Sequence, residues 1–261
     1  MKHSVNVKKN GISLQINMNK FKFFFLISFF SSLAYCQRTS IVEYRVVFGN
    51  KNLNDSINNI IKKKTKEMIN SIEQNDYELV FNDSISVFNL KKEMLSDNPN
   101  NKLSSSLIGG KRYKNLKDSV NIKQKEFLGQ IFNIHLKFNN YKWSVTKEKK
   151  IISGYTCYKA IAKIIESDFI RKKEIEYFIE AWFTPEIPVP FGPAGIDGLP
   201  GLVLEGSSNS GAAVFYVSKL DLLNNEKSIE KVIDLSKGKN ISEKDYLIMI
   251  KETYLSFRNR N

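Results

Sequence analysis

The chain has 261 residues, with 40 lysines and arginines against 27 acidic residues, only two histidines and two cysteines, and a formal net charge of +13. So few imidazoles and thiols leave no ligand cluster for zinc or copper, and no metal or cofactor is expected. The basic residues fall in small separate groups (Lys62 to Lys64, Lys147 with Lys149 and Lys150, Arg171 to Lys173) that acids follow or interrupt, the pattern of solvated faces and not of the continuous basic stripe that nucleic-acid binding requires.

The first readable element is a secretory signal from Met18 to Gln37. Lys20 and Lys22 supply its basic start, Phe23 through Leu33 form an uncharged apolar core, and Ala34-Tyr35-Cys36 offers the small residues that a signal peptidase reads. The apolar run is about half of the ~20 residues that a permanent membrane helix needs. A polar leader of residues 1–17 precedes it, which points to Met18 as the start. Cys36 carries a second reading as a lipidated cysteine, although Tyr35 is bulky for that signal. Cleavage would remove five lysines and no acids, lowering the net charge to +8. It would leave residues 37–261 as one domain with Cys157 as its lone cysteine and His135 as its lone histidine. The chain is therefore expected to be exported, to the periplasm, the outer membrane or the medium, with no transmembrane segment after processing.

Ser40 to Phe48 reads as a strand from its β-branched and aromatic content. Ser56 to Glu73 switches to a helical period, with Ile57, Ile60, Ile61, Met68 and Ile72 on one face and Asp55 or Ser56 as the cap. Tyr77–Phe81 and Ile85–Leu90 flank the turn sequence Asn82-Asp83-Ser84 and predict a hairpin. Ser96 to Gly110 has no period and reads as an exposed loop. Strands are expected over Val120–Phe127, Ile131–Phe138, Tyr141–Thr146, Tyr155–Ile165, Ile175–Thr184 and Ala212–Leu223. In the second of these, Phe132, Ile134, Leu136 and Phe138 take one face, while Asn133, His135 and Lys137 take a wet one. Ser242 to Asp245 resembles a capping box opening a last helix, whose Tyr246, Ile250, Tyr254 and Phe257 form a stripe to lay on the sheet. The fold class is α+β: a large curved antiparallel β-sheet with two amphipathic helices packed on it.

Chemistry-bearing residues are sparse. His135 sits on a polar strand face with no nucleophile-elbow pattern to pair with, and Cys157 between two tyrosines reads as a small buried hydrophobe. No catalytic residue is assigned. The distinctive segment is Pro185 to Gly211. Five of the six prolines lie between Pro185 and Pro200, punctuated by Gly192, Gly195, Gly198 and Gly201, which describes a loop with a fixed path. Its candidate binding residues are Gly192, Pro193, Asp197, Gly198, Leu199, Pro200, Gly201 and Leu202. The two leucines either cap the core or face a ligand groove.

Gly198-Leu199-Pro200-Gly201-Leu202-Val203 resembles the signature of the GLPGLI proteins of Bacteroidota. Trp143, Gly154-Tyr155, Cys157, Lys159-Ala160, Ala181 to Thr184, Glu186 to Pro188 and Gly192-Pro193 fit the same pattern. The resemblance implies a Gram-negative envelope or secreted protein and brings no catalytic residue or substrate with it. The leading expectation is a noncatalytic protein that binds an apolar ligand, a peptide or an outer-membrane partner. Two alternatives stand beside it: an envelope hydrolase using Asp197, Glu205 or Glu180 as base, and a structural accessory of outer-membrane transport or secretion machinery.

Overall fold

β-Branched and aromatic residues at alternate positions drive most of this chain into strands. A computed structural model describes residues 39–49, 59–91, 110–168, 173–208, 211–225, 229 and 232–258, all within the unit Arg38–Asn261. The signal segment, the leader, the cap candidates Asp55 and Ser56, and almost all of the 96–110 loop lie outside the described residues.

The strands are β1 (Thr39–Phe48), β2 (Tyr77–Phe81), β3 (Ile85–Leu90), β4 (Lys111–Asn115), β5 (Val120–Phe127), β6 (Gln130–His135), β7 (Ser144–Ile152), β8 (Tyr155–Asp168), β9 (Lys173–Thr184), β10 (Leu202–Ser208), β11 (Ala213–Asn225) and β12 (Lys239–Ser242). They form one curved sheet in the order β12-β6-β5-β4-β3-β2-β1-β11-β10-β9-β8-β7. Neighbours are antiparallel except β12, which runs parallel to β6. Among the described residues two α-helices, α1 (Asn59–Gln74) and α2 (Glu243–Arg258), join the sheet in an α+β architecture.

One face of the sheet carries the main core. Alternation in β1 turns Val42, Tyr44 and Val46 inward with no exposed surface, and the register sets Tyr44 against Tyr77 and Val42 against Leu79. Tyr77 stacks on Phe88 at 6.0 Å, and Phe215 meets both rings edge-on. Helix α1 lays Ile72 and Met68 on this cluster, and its Glu73 carboxylate accepts the Phe48 N–H at 2.9 Å. On the opposite face, Ile229, Val232 and Ile233 cover Val80 and Val87.

The hairpin, strand β1 beside it and both helices fall where the sequence puts them. Four departures have physical causes. Strand β4 escaped notice because its inward positions are Arg112 and Lys114, so it has no apolar alternation. Strand β10 lies inside the segment read as loop, and Leu202 is its first residue, because a proline-glycine turn delivers the chain directly to a sheet edge. Strand β12, with four residues, is too short for any period. The strand expected at Tyr141–Thr146 sits at Ser144–Ile152, a lysine-rich edge strand.

Asn133, assigned to a wet face, is buried: its amide donates to the carbonyls of Leu235 (2.6 Å) and Gly238 (3.1 Å) in the segment that packs over it. The capping prediction for α2 is met by Ser242, whose hydroxyl accepts the Asp245 N–H at 3.1 Å. Of the α2 stripe, Tyr246 is buried between Phe127 and Phe132, while Tyr254 and Phe257 are exposed. Helix α2 packs mainly on β6 and β12, where the sheet ends, with Phe127 of β5 also against Tyr246; its 16 residues advance about 24 Å.

Candidate functional site

The 185–201 loop returns on itself and docks on the inner face of the sheet. Leu202 N–H donates to the Ile187 carbonyl (2.9 Å), Val203 N–H to Phe191 (3.0 Å) and Gly198 N–H to Pro190 (3.1 Å). A side chain at Gly201 would strike the carbonyl of Thr184, so only glycine lets the loop close against the end of β9. Leu199 and Leu202 are 1% and 0% exposed and pack with Phe191 and Ile196 into the core; Phe191 meets Phe81 at 5.9 Å. The buried Tyr44 hydroxyl donates to the Val203 carbonyl at 2.6 Å. Of the candidate binding residues, Gly198 and Pro200 are exposed, while Gly192, Pro193, Asp197, Leu199, Gly201 and Leu202 are buried.

What the loop places beside open space is its 192–197 stretch, which roofs a cleft over β3, β4 and β5. Leu79 and Phe88 form its floor, Ser86, Asn121, Arg112 and Lys114 its polar walls, and Gly192, Gly195 and Asp197 its roof, around a space of about 10 Å³, enough for about one water-sized sphere. The roof needs a glycine here: Gly195 has φ +84, and an added Cβ would lie 2.8 Å from Arg112 Nη1.

Two cations in this cleft differ in how they are satisfied. Lys114 Nζ donates to Asp197 Oδ1 at 2.7 Å and to the Phe138 carbonyl at 3.1 Å, and sits 4.7 Å over the Phe138 ring. The Asp197 carbonyl accepts the Trp143 indole N–H at 2.9 Å, and Trp143 packs on Tyr141. Burial pushes the Asp197 carboxyl up from its ordinary value, against the opposing pull of Lys114 and Arg112. Arg112, by contrast, has its Nε buried with no hydrogen-bond partner.

Register extends the basic patch across the sheet, since Arg112 pairs with Lys123 and Lys114 with Asn121. Burial, then repulsion from Arg112 and Lys125, pushes the Lys123 ammonium down to about 7, with Glu243 and Glu166 partly offsetting the effect. Burial likewise raises the Tyr141 hydroxyl, which feels Arg112, Asp197, Glu166 and Glu243. The Tyr177 hydroxyl donates to Glu166 at 2.7 Å. The inner faces of β4 and β5 thus meet groups from β8, β9 and the start of α2.

The carboxylates considered for catalysis do not converge. Asp197 is held by Lys114, Glu205 by Lys150 at 2.7 Å, and Glu180 by Lys159 at 3.2 Å. The exposed His135 has Asn240 Oδ1 3.3 Å from its Nε2, and Cys157 is a buried free thiol whose pKa burial pushes up to about 11. Sequence reasoning found Asp197 and missed Arg112, Lys114 and Lys123. The short run Lys111-Arg112-Tyr113-Lys114 looks like any solvated charge cluster, and only strand pairing turns its alternate members inward.

A family model described as a protein of unknown function, Porph_ging, matches residues 166–205, the stretch from the end of β8 through the loop into β10. No curated protein matches the chain. Two solved structures are similar in fold. PNGF-II in a C2 crystal form has a TM-score of 0.54 at 18% identity, over 81% of this chain and 32% of that one. The P21 form gives 0.52 at 17% identity, over 82% and 33%. The chain thus spans about a third of the length of the solved chains it resembles, and at such identity the likeness is one of fold alone.

Proposed function

We propose that this chain is an exported envelope protein that binds a small ligand without transforming it, in the cleft between the 192–197 roof and the inner face of β3 to β5. One observation carries this reading: the cleft joins an apolar floor, Leu79 and Phe88, to an unpartnered guanidinium, while its lining carboxylate, Asp197, is engaged by Lys114. Such a site can hold and orient a ligand but lacks the pair of free titratable groups that acid/base catalysis uses. The prolines and glycines of the GLPGLI-like segment then serve the site from behind. They fix the path of the roof while the leucines anchor it in the core. The export half of the proposal rests on the signal ending near Gln37 and on the resemblance to an envelope family.

The test has two parts. N-terminal sequencing of the protein recovered from envelopes should give a chain that begins near Gln37, or a lipidated Cys36. Native mass spectrometry of the same material should show a small-molecule adduct. Recovery of a chain that retains Phe23 to Leu33 would overturn export. A bare chain whose melting temperature no small-molecule envelope fraction raises would falsify the binding role.

A further inference from the structure

We propose that Arg112 and Lys123 form an oxyanion site, which takes the carboxylate or phosphate group of a small ligand. This deepens the reading of the cleft as a ligand site and rests on it.

Arg112 and Lys123 are direct cross-strand partners on the inner face, and Lys125 follows on the same face of β5, two residues further along. Like charges set opposite one another across a sheet are destabilising, so this pairing costs stability in the empty protein. Among the described residues, only Lys114 of the four inward cations on β4 and β5 has an acid partner, Asp197. Among the described residues the side chains of Arg112, Lys123 and Lys125 have no ion pair or hydrogen bond.

The second observation is the buried Arg112 Nε without an acceptor. A buried donor left unmade is expensive, and more so when charged. A guanidinium presents its Nε–H and a neighbouring Nη–H as a planar fork that matches the two oxygens of a carboxylate or phosphate. An oxyanion on that fork would satisfy the orphan donor and relieve the repulsion between Arg112 and Lys123 together. The depressed Lys123 ammonium agrees with this, because its burial and its cationic neighbours lack a compensating negative charge close by. Glu166 and Glu243 contribute only in part, Glu166 already accepting from Tyr177.

The roof keeps the site small. A Cβ added at Gly195 would lie 2.8 Å from Arg112 Nη1 and 3.3 Å from its Nε, so an anion seated on the fork must shift the roof outward, and a long chain would not fit beneath it.

The experiment is a calorimetric titration of the processed protein with sodium phosphate and, separately, sodium acetate, at constant ionic strength set with sodium chloride. Saturable binding of either anion is expected, about tenfold or more weaker in Arg112→Met and unchanged in Lys137→Met, whose lysine is exposed. Phosphate alone or acetate alone identifies the class of anion, and either supports the site. Should Arg112→Met fail to fold, Lys123→Met replaces it with the same expected loss. No saturable binding by either anion, or an affinity that the variant leaves unchanged, overturns the inference. An uncharged adduct on envelope-derived protein, with phosphate and acetate inert, removes the oxyanion site and leaves the binding role standing; inert anions together with a bare chain that no envelope fraction stabilises remove both.

Discussion

Lys114 reaches across 83 residues of sequence to place its ammonium 2.7 Å from Asp197 Oδ1, and both side chains are almost wholly withdrawn from solvent. This contact ties β4 to the proline-rich loop and so couples the wall of the cleft to its roof.

Removing one member of such a pair should be far worse than removing both. Asp197→Ala leaves a buried ammonium with only the Phe138 carbonyl and ring, and is expected to cost about 3–5 kcal/mol in urea unfolding. The double variant Asp197→Ala, Lys114→Met removes the stranded charge, and most of that loss should return. Equal losses in the single and double variants would show that the loop is held by its apolar anchors alone.

Two glycines of the same loop separate steric from conformational need. At Gly201 an added methyl collides with the Thr184 carbonyl, while at Gly198, with φ +86, the nearest atom is Trp143 Nε1 at 3.9 Å. Gly198→Ala should therefore cost about 1–2 kcal/mol, the strain of a left-handed alanine. Gly201→Ala must displace backbone, and it should lower the melting temperature well beyond that or prevent folding. Thermal melts of the two variants side by side decide this, and similar shifts would contradict the closure geometry.

Legibility in the sequence followed the apolar pattern and stopped where polar residues did structural work. The strands with inward hydrophobic alternation, such as β1 and β8, announced themselves, as did both helices. Strand β4 did not, because the residues it turns inward are Lys114, answered by a partner 83 residues away, and Arg112, whose Nε has no partner among the described residues. Composition marked the 185–201 loop as unusual but could not say which of its residues meet open space. Leu199 and Leu202 are core; Gly195 and Asp197 face the cleft.

Cys157 provides a check on the packing between β7 and β9. The thiol is buried, and that burial pushes its pKa up to about 11, so at pH 8 little thiolate exists and reagent has no path to it. A thiol reagent added to native protein should react orders of magnitude more slowly than in urea. Fast native labelling would mean that the β7 edge opens readily.

Lys123 offers the sharpest pH test. Its folded-state pKa is depressed from 10.5 to about 7 by burial and by Arg112 and Lys125, against the weaker pull of Glu243 and Glu166. Between about pH 7 and 10.5 the unfolded chain therefore binds more protons at this position than the folded one, and stability from this group rises with pH at up to about 1.4 kcal/mol per unit. The contribution is complete above the unfolded value and lost as the pH falls through about 7. Lys123→Met lacks the titration, so at pH 6.5 the variant should equal or exceed the parent protein in unfolding free energy. By pH 9.5 that advantage should shrink or reverse. A stability difference that stays flat across this range would show that Lys123 remains charged and well solvated in the folded protein. A flat profile that appears only with saturating phosphate would instead reflect an anion on the ammonium, because a bound oxyanion restores the ordinary lysine pKa and removes the difference between the folded and unfolded states.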